Sequence, residues 1–317
     1  MNWSKKLINP VLDKEIRLRM RTPRAMLSVL SYILVLGFIA MGFIYITMYL
    51  NNSNGGTQQF NSGMSQMMFY VLSFAQLLMI AFMAPALTAG VISSEREKQT
   101  LSMLLTTQQS SMTIILSKLL SSLGFMALIV IATLPVYSIV FLFGGISPSQ
   151  LVSLFLFYLF VMLLLGSLGV MFSTIFKRTI ISIIVTYSVG IFIFLITGLL
   201  YLFLISMWQG NYGGSVAAPT FSWVGFILGL NPAGAMLSLF DPTFSKTIFY
   251  VRGSTINTEA PMQLWVEFVL VYTVVIIGSL WVSIRSIRPV RRRKKHKVVE
   301  ERNEPNGEIL TDLDNIN

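Results

Sequence analysis

Long apolar runs constrain this sequence more than any other feature. A helix needs roughly 20 mostly apolar residues to cross the hydrocarbon of a bilayer, which is about 30 Å thick. Only 11% of the residues are charged, whereas a soluble domain has about 25%, so a soluble fold is excluded. The sequence therefore predicts an all-α integral membrane protein with six transmembrane helices, near residues 25–49, 67–91, 119–143, 151–175, 180–207 and 264–284.

The basic residues predict how these spans are oriented. Of the 23 Lys and Arg residues, 21 fall in segments that six crossings place on one side of the membrane, and only Lys246 and Arg252 fall on the other. By the positive-inside rule the basic side is the cytoplasm, so both termini are expected there. Because the basic residues flank apolar spans, the expected anionic partner is lipid headgroups and not nucleic acid.

Composition divides the chain into three regions. Residues 1–24 form a cytoplasmic amphipathic arm, and residues 25–284 form the six-helix transmembrane domain. Residues 285–317 form a cytoplasmic tail that is first basic and then acidic. A tail of this composition cannot bury enough apolar surface to fold, so we expect it to be disordered.

The arm has the pattern of an interfacial helix. Pro10 suits the start of a helix, and the pairs Asp13 with Arg17 and Glu15 with Arg19 both have the i, i+4 spacing that brings side chains together. A basic amphipathic helix next to a span binds anionic headgroups. A plain membrane anchor already accounts for this charge.

The loop after the second span predicts a second amphipathic element. Glu95 and Lys98 stand at i and i+3, on one turn of a helix. Leu101, Leu104 and Leu105 follow with the spacing of one apolar ridge. An ordinary amphipathic connector would show the same pattern. The alternative is a surface that offers charges and leucines to a cytoplasmic partner.

The segment between spans five and six is apolar but interrupted. Residues 221–240 contain two apolar pieces, each too short to cross, separated by Asn231-Pro232. Two interpretations fit: a broken re-entrant element in the outer leaflet, or a partly ordered surface loop with an interfacial helix. Gly225 and Gly229 would leave one helical face bare for close packing, so we expect these residues, with the Asn231-Pro232 break, to close an outer gate.

The sequence lacks the residues of an enzyme. It has no Gly-x-x-x-x-Gly-Lys-Ser/Thr phosphate loop, no His-Glu-x-x-His and no cysteine. Its one histidine, His296, lies in the basic tail, so no metal site is expected. Glu267 is the single charged residue within a span, and we expect it to be structural or interfacial, with a proton or substrate role as the alternative.

Three stretches resemble the permease subunits of bacterial ABC-2 type transporters. They are residues 9–17 (Asn-Pro-Val-Leu-Asp-Lys-Glu-Ile-Arg), residues 92–107, which contain Glu-Arg-Glu-Lys-x-Thr-Leu-x-x-Leu-Leu, and residues 117–120 (Ser-Lys-Leu-Leu). Many members have Gly where Gln99 stands, Pro where Gln108 stands, and Gly where Ser117 stands. These departures loosen the subfamily assignment.

The resemblance implies a six-helix half-transporter that pairs with an identical or homologous permease subunit. ATP-binding subunits, which hold ATP and Mg, would dock on its cytoplasmic face through a coupling helix, and short re-entrant helices would lie between spans five and six. The chain itself would have no cofactor and no catalytic residue. The expected ATPase-coupling residues are Glu95, Arg96, Glu97, Lys98, Thr100, Leu101, Leu104 and Leu105.

Two functions remain open at this point. The first is a permease subunit of an exporter in the bacterial cytoplasmic membrane, driven by separate ATP-binding subunits. The second is a non-transporting membrane component of a signalling or assembly complex that is coupled to an ATPase. Both would use the same coupling helix, so the sequence does not separate them.

Overall fold

Six helices in the described part of the chain are long and apolar enough to cross a membrane, which confirms the predicted number of spans and the all-α class. They are Ala25–Tyr49, Ser62–Glu97, Ser111–Leu142, Pro148–Ile175, Thr179–Trp208 and Leu264–Ile287. The structure, a computed structural model, describes residues 20–53, 62–100, 111–142, 144–211, 220–251 and 260–287. Nearly all of the predicted arm and tail therefore lies outside the described residues.

The spans are built from helices, several of which are interrupted. In chain order the elements are α1 (Pro23–Ser53), α2 (Ser62–Thr88), α3 (Ser93–Glu97), α4 (Ser111–Ile131), α5 (Leu134–Leu142), α6 (Pro148–Ile175), α7 (Thr179–Ile191), a π-turn (Phe192–Ile196), α8 (Thr197–Asn211), β1 (Thr220–Phe221), α9 (Gly225–Gly229), α10 (Pro232–Phe240), α11 (Pro242–Phe249), β2 (Tyr250–Val251) and α12 (Leu264–Ile287).

Span three begins earlier than the sequence predicts and is broken. It starts at Ser111, and residues 132–133 form a turn between α4 and α5. Pro135 explains the break, because it has no N–H to donate to the carbonyl of Ile131 and its ring would clash there. Helix α4 accordingly ends at Ile131.

Helix α6 is the centre of the bundle. It packs against α12, α2, α7 and α4, and it is the most buried of the six spans. Its start is set by a capping box: the Ser147 hydroxyl accepts from Gln150 N at 3.3 Å, and Gln150 Oε1 accepts from Ser147 N at 3.1 Å. Pro148 stands at the first helical position, where its missing N–H costs nothing.

Glycines on α6 allow spans two and three to approach closely. A Cβ built at Gly169 would overlap the Thr88 hydroxyl, and one at Gly166 would lie 3.1 Å from Leu119 Cδ1. Small residues at such positions are what lets helix backbones pack tightly in a bilayer. Spans one and five, in contrast, are the least buried.

Between spans five and six the chain forms three short helices and a strand pair. Strands β1 and β2 pair antiparallel, with Thr220 opposite Val251. Helix α9 ends at Gly229 and α10 begins at Pro232, so the chain breaks at the predicted place. That this element dips into the outer leaflet stays a prediction.

Replacing Gly169 with Ala is expected to destabilise the fold by about 1–3 kcal/mol, because the added methyl overpacks the contact between spans two and four. Gly124 on α4 is the matched control, since a Cβ there would meet nothing within 4 Å. Thermal unfolding of the purified protein in detergent measures both variants. A Gly169→Ala protein as stable as Gly124→Ala would contradict the close approach.

Candidate functional site

Span two turns between α2 and α3, and residues of spans four and five hold this turn in place. Ile92 N and Ser93 N both donate to Ser173 Oγ, at 2.8 and 2.9 Å. The Ser182 hydroxyl of α7 donates to Ala89 O at 2.6 Å. Because α3 is only five residues long, it has little stability of its own, and these contacts fix its position.

Two charged side chains of α3 bind span three and span four. Glu95 forms an ion pair with Lys118 of α4, with 2.5 Å between Oε1 and Nζ. The Lys118 side chain is 7% exposed and that of Glu95 is 27% exposed. Arg96 Nη2 donates to Thr174 O at the end of α6, at 3.0 Å. The helix is therefore joined by charge-assisted bonds to two neighbouring spans.

The third charged side chain binds the start of span five. Both Thr179 N and Thr179 Oγ1 donate to the Glu97 carboxylate at 2.8 Å. Thr179 is the first residue of α7, and Arg178 before it makes no side-chain cap. Glu97 thus supplies from another segment the cap that the helix lacks, and its negative charge suits a helix N-terminus.

These contacts differ from the expected Glu95–Lys98 pair. Glu95 is paired with Lys118, while Lys98 is exposed in the turn after α3. Gln99 follows with a φ of +59°, a left-handed conformation that favours glycine. The Thr100 hydroxyl donates to Glu95 O at 3.2 Å. The exposed surface of the segment is therefore formed by Glu97, Lys98, Gln99 and Thr100.

Several predicted site residues cannot be placed. Leu101, Leu104 and Leu105 lie outside the described residues, so the apolar ridge stays a prediction. The same holds for the interfacial pairs of the arm, formed by Asp13, Glu15, Arg17 and Arg19. Sequence reasoning also missed partners that only the fold brings near α3, namely Lys118, Ser173, Thr174 and Thr179. A signal existed only for Lys118, since a lysine at the edge of an apolar run needs an anionic partner.

On the opposite side of the bundle, Asn231 joins the break between α9 and α10 to span five. Its Oδ1 accepts from Ala233 N at 2.8 Å and so caps α10. Its Nδ2 donates to Phe194 O at 2.7 Å and to Thr197 Oγ1 at 2.9 Å. Phe194 lies in the π-turn, where the helical register of hydrogen bonds is interrupted. The buried amide of Asn231 therefore bonds both the start of α10 and the irregular backbone of the π-turn. Pro232 is in the first turn of α10.

The two glycines of α9 contact different neighbours. A Cβ at Gly225 would overlap the ring of Phe249 in α11, and one at Gly229 would overlap the carboxylate of Glu267 in α12. Glu267 is 7% exposed, and its Oε2 has no hydrogen-bond partner among the described residues. The Tyr272 hydroxyl, further along α12, donates to Leu230 O at 2.9 Å. The element is thus fitted closely against span six.

Two apolar cavities flank the π-turn of span five. One, of about 340 Å³, lies between span two and span five, and the other, of about 480 Å³, lies between span five and the helices α10 and α11. Phe194, Leu195 and Ala233 line both. Tyr187 brings a hydroxyl to the first cavity, and this hydroxyl donates to Phe82 O at 2.7 Å.

Comparison with protein families gives one match that covers most of the chain. The family described as ABC-2 family transporter protein matches residues 9–283. This range contains spans one to five, the α3 segment, the three helices described between spans five and six, and all but the last four residues of span six. A comparison with curated proteins found no match.

Removing the partner of Glu95 tests whether the charges of α3 hold it to the bundle. Lys118→Met leaves the Glu95 carboxylate without its cation and is expected to lower the free energy of unfolding by about 1–3 kcal/mol. Breaking a fully buried pair typically costs about 3–5 kcal/mol. The smaller loss is expected here because Glu95 is partly exposed. The swap of Glu95→Lys with Lys118→Glu should recover part of this loss. Lys98→Met, at an exposed position, is the control. Thermal unfolding that does not distinguish Lys118→Met from Lys98→Met would contradict the attachment.

Proposed function

Because the chain belongs to the ABC-2 transporter family, we propose that it is the permease subunit of an exporter, driven by separate ATP-binding subunits that hold ATP and Mg. The observation that carries the proposal is the attachment of α3 to three different spans through Glu95, Arg96 and Glu97. A partner that moves α3 would move these spans together. A membrane protein without a phosphate loop needs such a lever if it is to use ATP.

We place the subunit in the bacterial cytoplasmic membrane with both termini in the cytoplasm. The 21 basic residues on the α3 side of the six spans support this orientation. It puts α3 within reach of a cytoplasmic ATPase and puts the element from Phe221 to Phe240 at the outer face. Anionic lipids would then contact the arm and the basic part of the tail.

We assign residues 93–105 to the coupling surface. In this assignment Glu95, Arg96 and Glu97 hold the segment to the bundle, while the exposed positions Lys98 and Thr100 face the ATPase. The leucine ridge from Leu101 to Leu105 would add apolar contact to the same partner. The coupling residues are thereby divided into those that transmit the movement and those that receive it.

We further propose that a second permease subunit, identical or homologous, packs against the exposed apolar face beside span five. Spans one and five are the least buried, and the two cavities open along span five. Their walls are apolar apart from Tyr187, Tyr201 and Asn231. A pathway along this face suits an amphiphilic or lipid-like cargo better than a bare ion, because it offers few groups to replace a hydration shell.

Lys98→Glu tests the coupling surface. Reversing this exposed charge is expected to reduce ATP hydrolysis by the purified complex several-fold without lowering its thermal stability, because Lys98 faces away from the bundle. Lys246→Glu, on the α11 side, is the charge-matched control. Hydrolysis that is the same in the two variants would contradict the assignment.

The same complex separates the two functions. An exporter should move a fluorescent phospholipid in inverted vesicles when ATP is added, and the movement should fall with hydrolysis in Lys98→Glu. Hydrolysis that responds to Lys98→Glu without any ATP-dependent movement would favour the non-transporting component.

Gly229→Ala tests the outer gate. The methyl must displace the Glu267 carboxylate, so we expect the outer element to loosen and a cysteine introduced at Leu228 to react several-fold faster with a membrane-impermeant maleimide added outside. The chain has no native cysteine, so this label is specific. Gly278→Ala on α12, where a Cβ would meet nothing within 4 Å, is the control.

ATPase association should not change in Gly229→Ala, because the substitution lies on the far side of the bundle from α3. Labelling at Leu228 that equals that of the control would show that the element is not held closed by this contact. Adding Glu267→Ala to Gly229→Ala removes the overlap, and should return the labelling rate towards that of the parent protein.

A further inference from the structure

Spans one to four enclose a group of polar side chains in the middle of the bundle. All are 5% exposed or less, and they lie among the apolar residues of the main core. None takes part in the coupling segment or the outer element described above. The group consists of Tyr32, Ser73, Gln76, Thr133, Tyr137 and Tyr158.

Hydrogen bonds connect most of the group. The Tyr158 hydroxyl donates to Ser73 O at 2.8 Å, and the Tyr137 and Tyr158 oxygens are 3.5 Å apart. Because the Tyr158 hydrogen is used by Ser73 O, Tyr137 is the donor in the second pair. Tyr32 also belongs here, because it lies in the same buried cluster as Tyr137 and Tyr158 and its helix α1 packs against α2 and α5.

The break in span three borders the same group. Gln76 Nε2 donates to Thr133 Oγ1 at 3.2 Å, and Thr133 Oγ1 donates to Val130 O at 2.6 Å. The Thr133 hydrogen is thus committed, which fixes the orientation of the Gln76 amide: its nitrogen faces Thr133 and its oxygen faces away. Ser73 and Gln76 stand at i and i+3 on α2 and share one face.

Three polar atoms of the group have no hydrogen-bond partner among the described residues. They are Tyr32 Oη, Ser73 Oγ and Gln76 Oε1. A buried hydroxyl or amide without a partner is costly, and nearly all such groups in proteins are satisfied by protein or by ordered water. Together these atoms offer two hydroxyl donors and one amide acceptor.

We propose that this group binds ordered water, which makes it an internal hydration site at the break in span three. Water fits the chemistry, because one molecule both accepts from hydroxyls and donates to an amide oxygen, and it needs two to four polar partners. The site carries no charged side chain among the residues described here, so a neutral ligand suits it better than an ion.

A cavity borders one edge of this group, at Tyr32. About 360 Å³ of space lies between spans one and two, and Tyr32 forms part of its wall together with Ser28 and Ser31. One turn of α1 thus contributes three hydroxyl-bearing residues to a wall that is otherwise formed by Val35, Met79, Phe82 and Met83. Water that enters along Ser28 and Ser31 reaches the phenol that borders the buried group.

Radiolytic footprinting tests the site directly. Hydroxyl radicals formed from bound water oxidise the side chains beside it, so the full-length protein in lipid nanodiscs should show oxidation of Tyr137 and Tyr158 several-fold faster than of Phe268. Phe268 is equally buried and also packs against aromatic rings, but its side chain has no polar atom that could bind water. In ¹⁸O-labelled water the added oxygen should carry the label. Oxidation of Tyr137 and Tyr158 as slow as that of Phe268 would overturn the proposal.

The sign of a stability change gives a second test. If water bonds the Tyr32 hydroxyl, Tyr32→Phe loses that bond and the unfolding temperature falls; if the hydroxyl is dry, the variant removes a buried unsatisfied group and the temperature rises. Ser73→Ala should shift the temperature in the same direction. Tyr45→Phe, at an exposed position on α1, should leave it unchanged. A rise in Tyr32→Phe or Ser73→Ala would overturn the proposal, whatever the footprinting shows.

Discussion

A backbone N–H or C=O inside a bilayer has no bulk water to bind, and the arrangement of this bundle depends on how that requirement is met. Where a span is interrupted, a side chain from another segment stands beside the interruption. Ser173 and Ser182 bond the backbone at the end of span two. Gln76 reaches the break in span three, and Asn231 reaches the π-turn in span five. Side-chain hydrogen bonds between different segments are therefore found at these interruptions.

Helix α3 follows the same principle at the end of span two. It is too short to be stable alone, so its orientation is set by the spans to which its side chains bond. Glu97 stabilises the helix that follows, and in return that helix fixes Glu97. A displacement applied to α3 would act on spans three, four and five at once. Our proposal that α3 receives mechanical work from an ATP-binding partner rests on this geometry together with the ABC-2 family match.

The sequence predicted those features that depend on local composition. Long apolar runs gave the six spans, and Asn231-Pro232 gave the break between α9 and α10. Partners far along the chain could not be found in this way: helical spacing favoured Lys98 for Glu95, but Lys118, 23 residues away, is the partner. The π-turn has no signal in composition, and the bond from Asn231 to Phe194 spans 37 residues. Pro135 was a signal for the break in span three, but the apolar run around it predicted one unbroken span.

The π-turn also has a consequence for the history of the chain. Such a turn accommodates one more residue than an α-helix of the same rise, and one residue rotates the rest of a helix by about 100°. The π-turn absorbs that rotation, so deleting one residue from Phe192–Ile196 would restore a regular α-helix in which α8 still faces α9, and the Phe194 carbonyl would accept from an N–H of its own helix instead of from Asn231. In a homologue with a regular fifth helix, an asparagine at position 231 would have no interrupted backbone in that helix to bond. Among homologues, a one-residue gap in span five and the loss of this asparagine should therefore occur together.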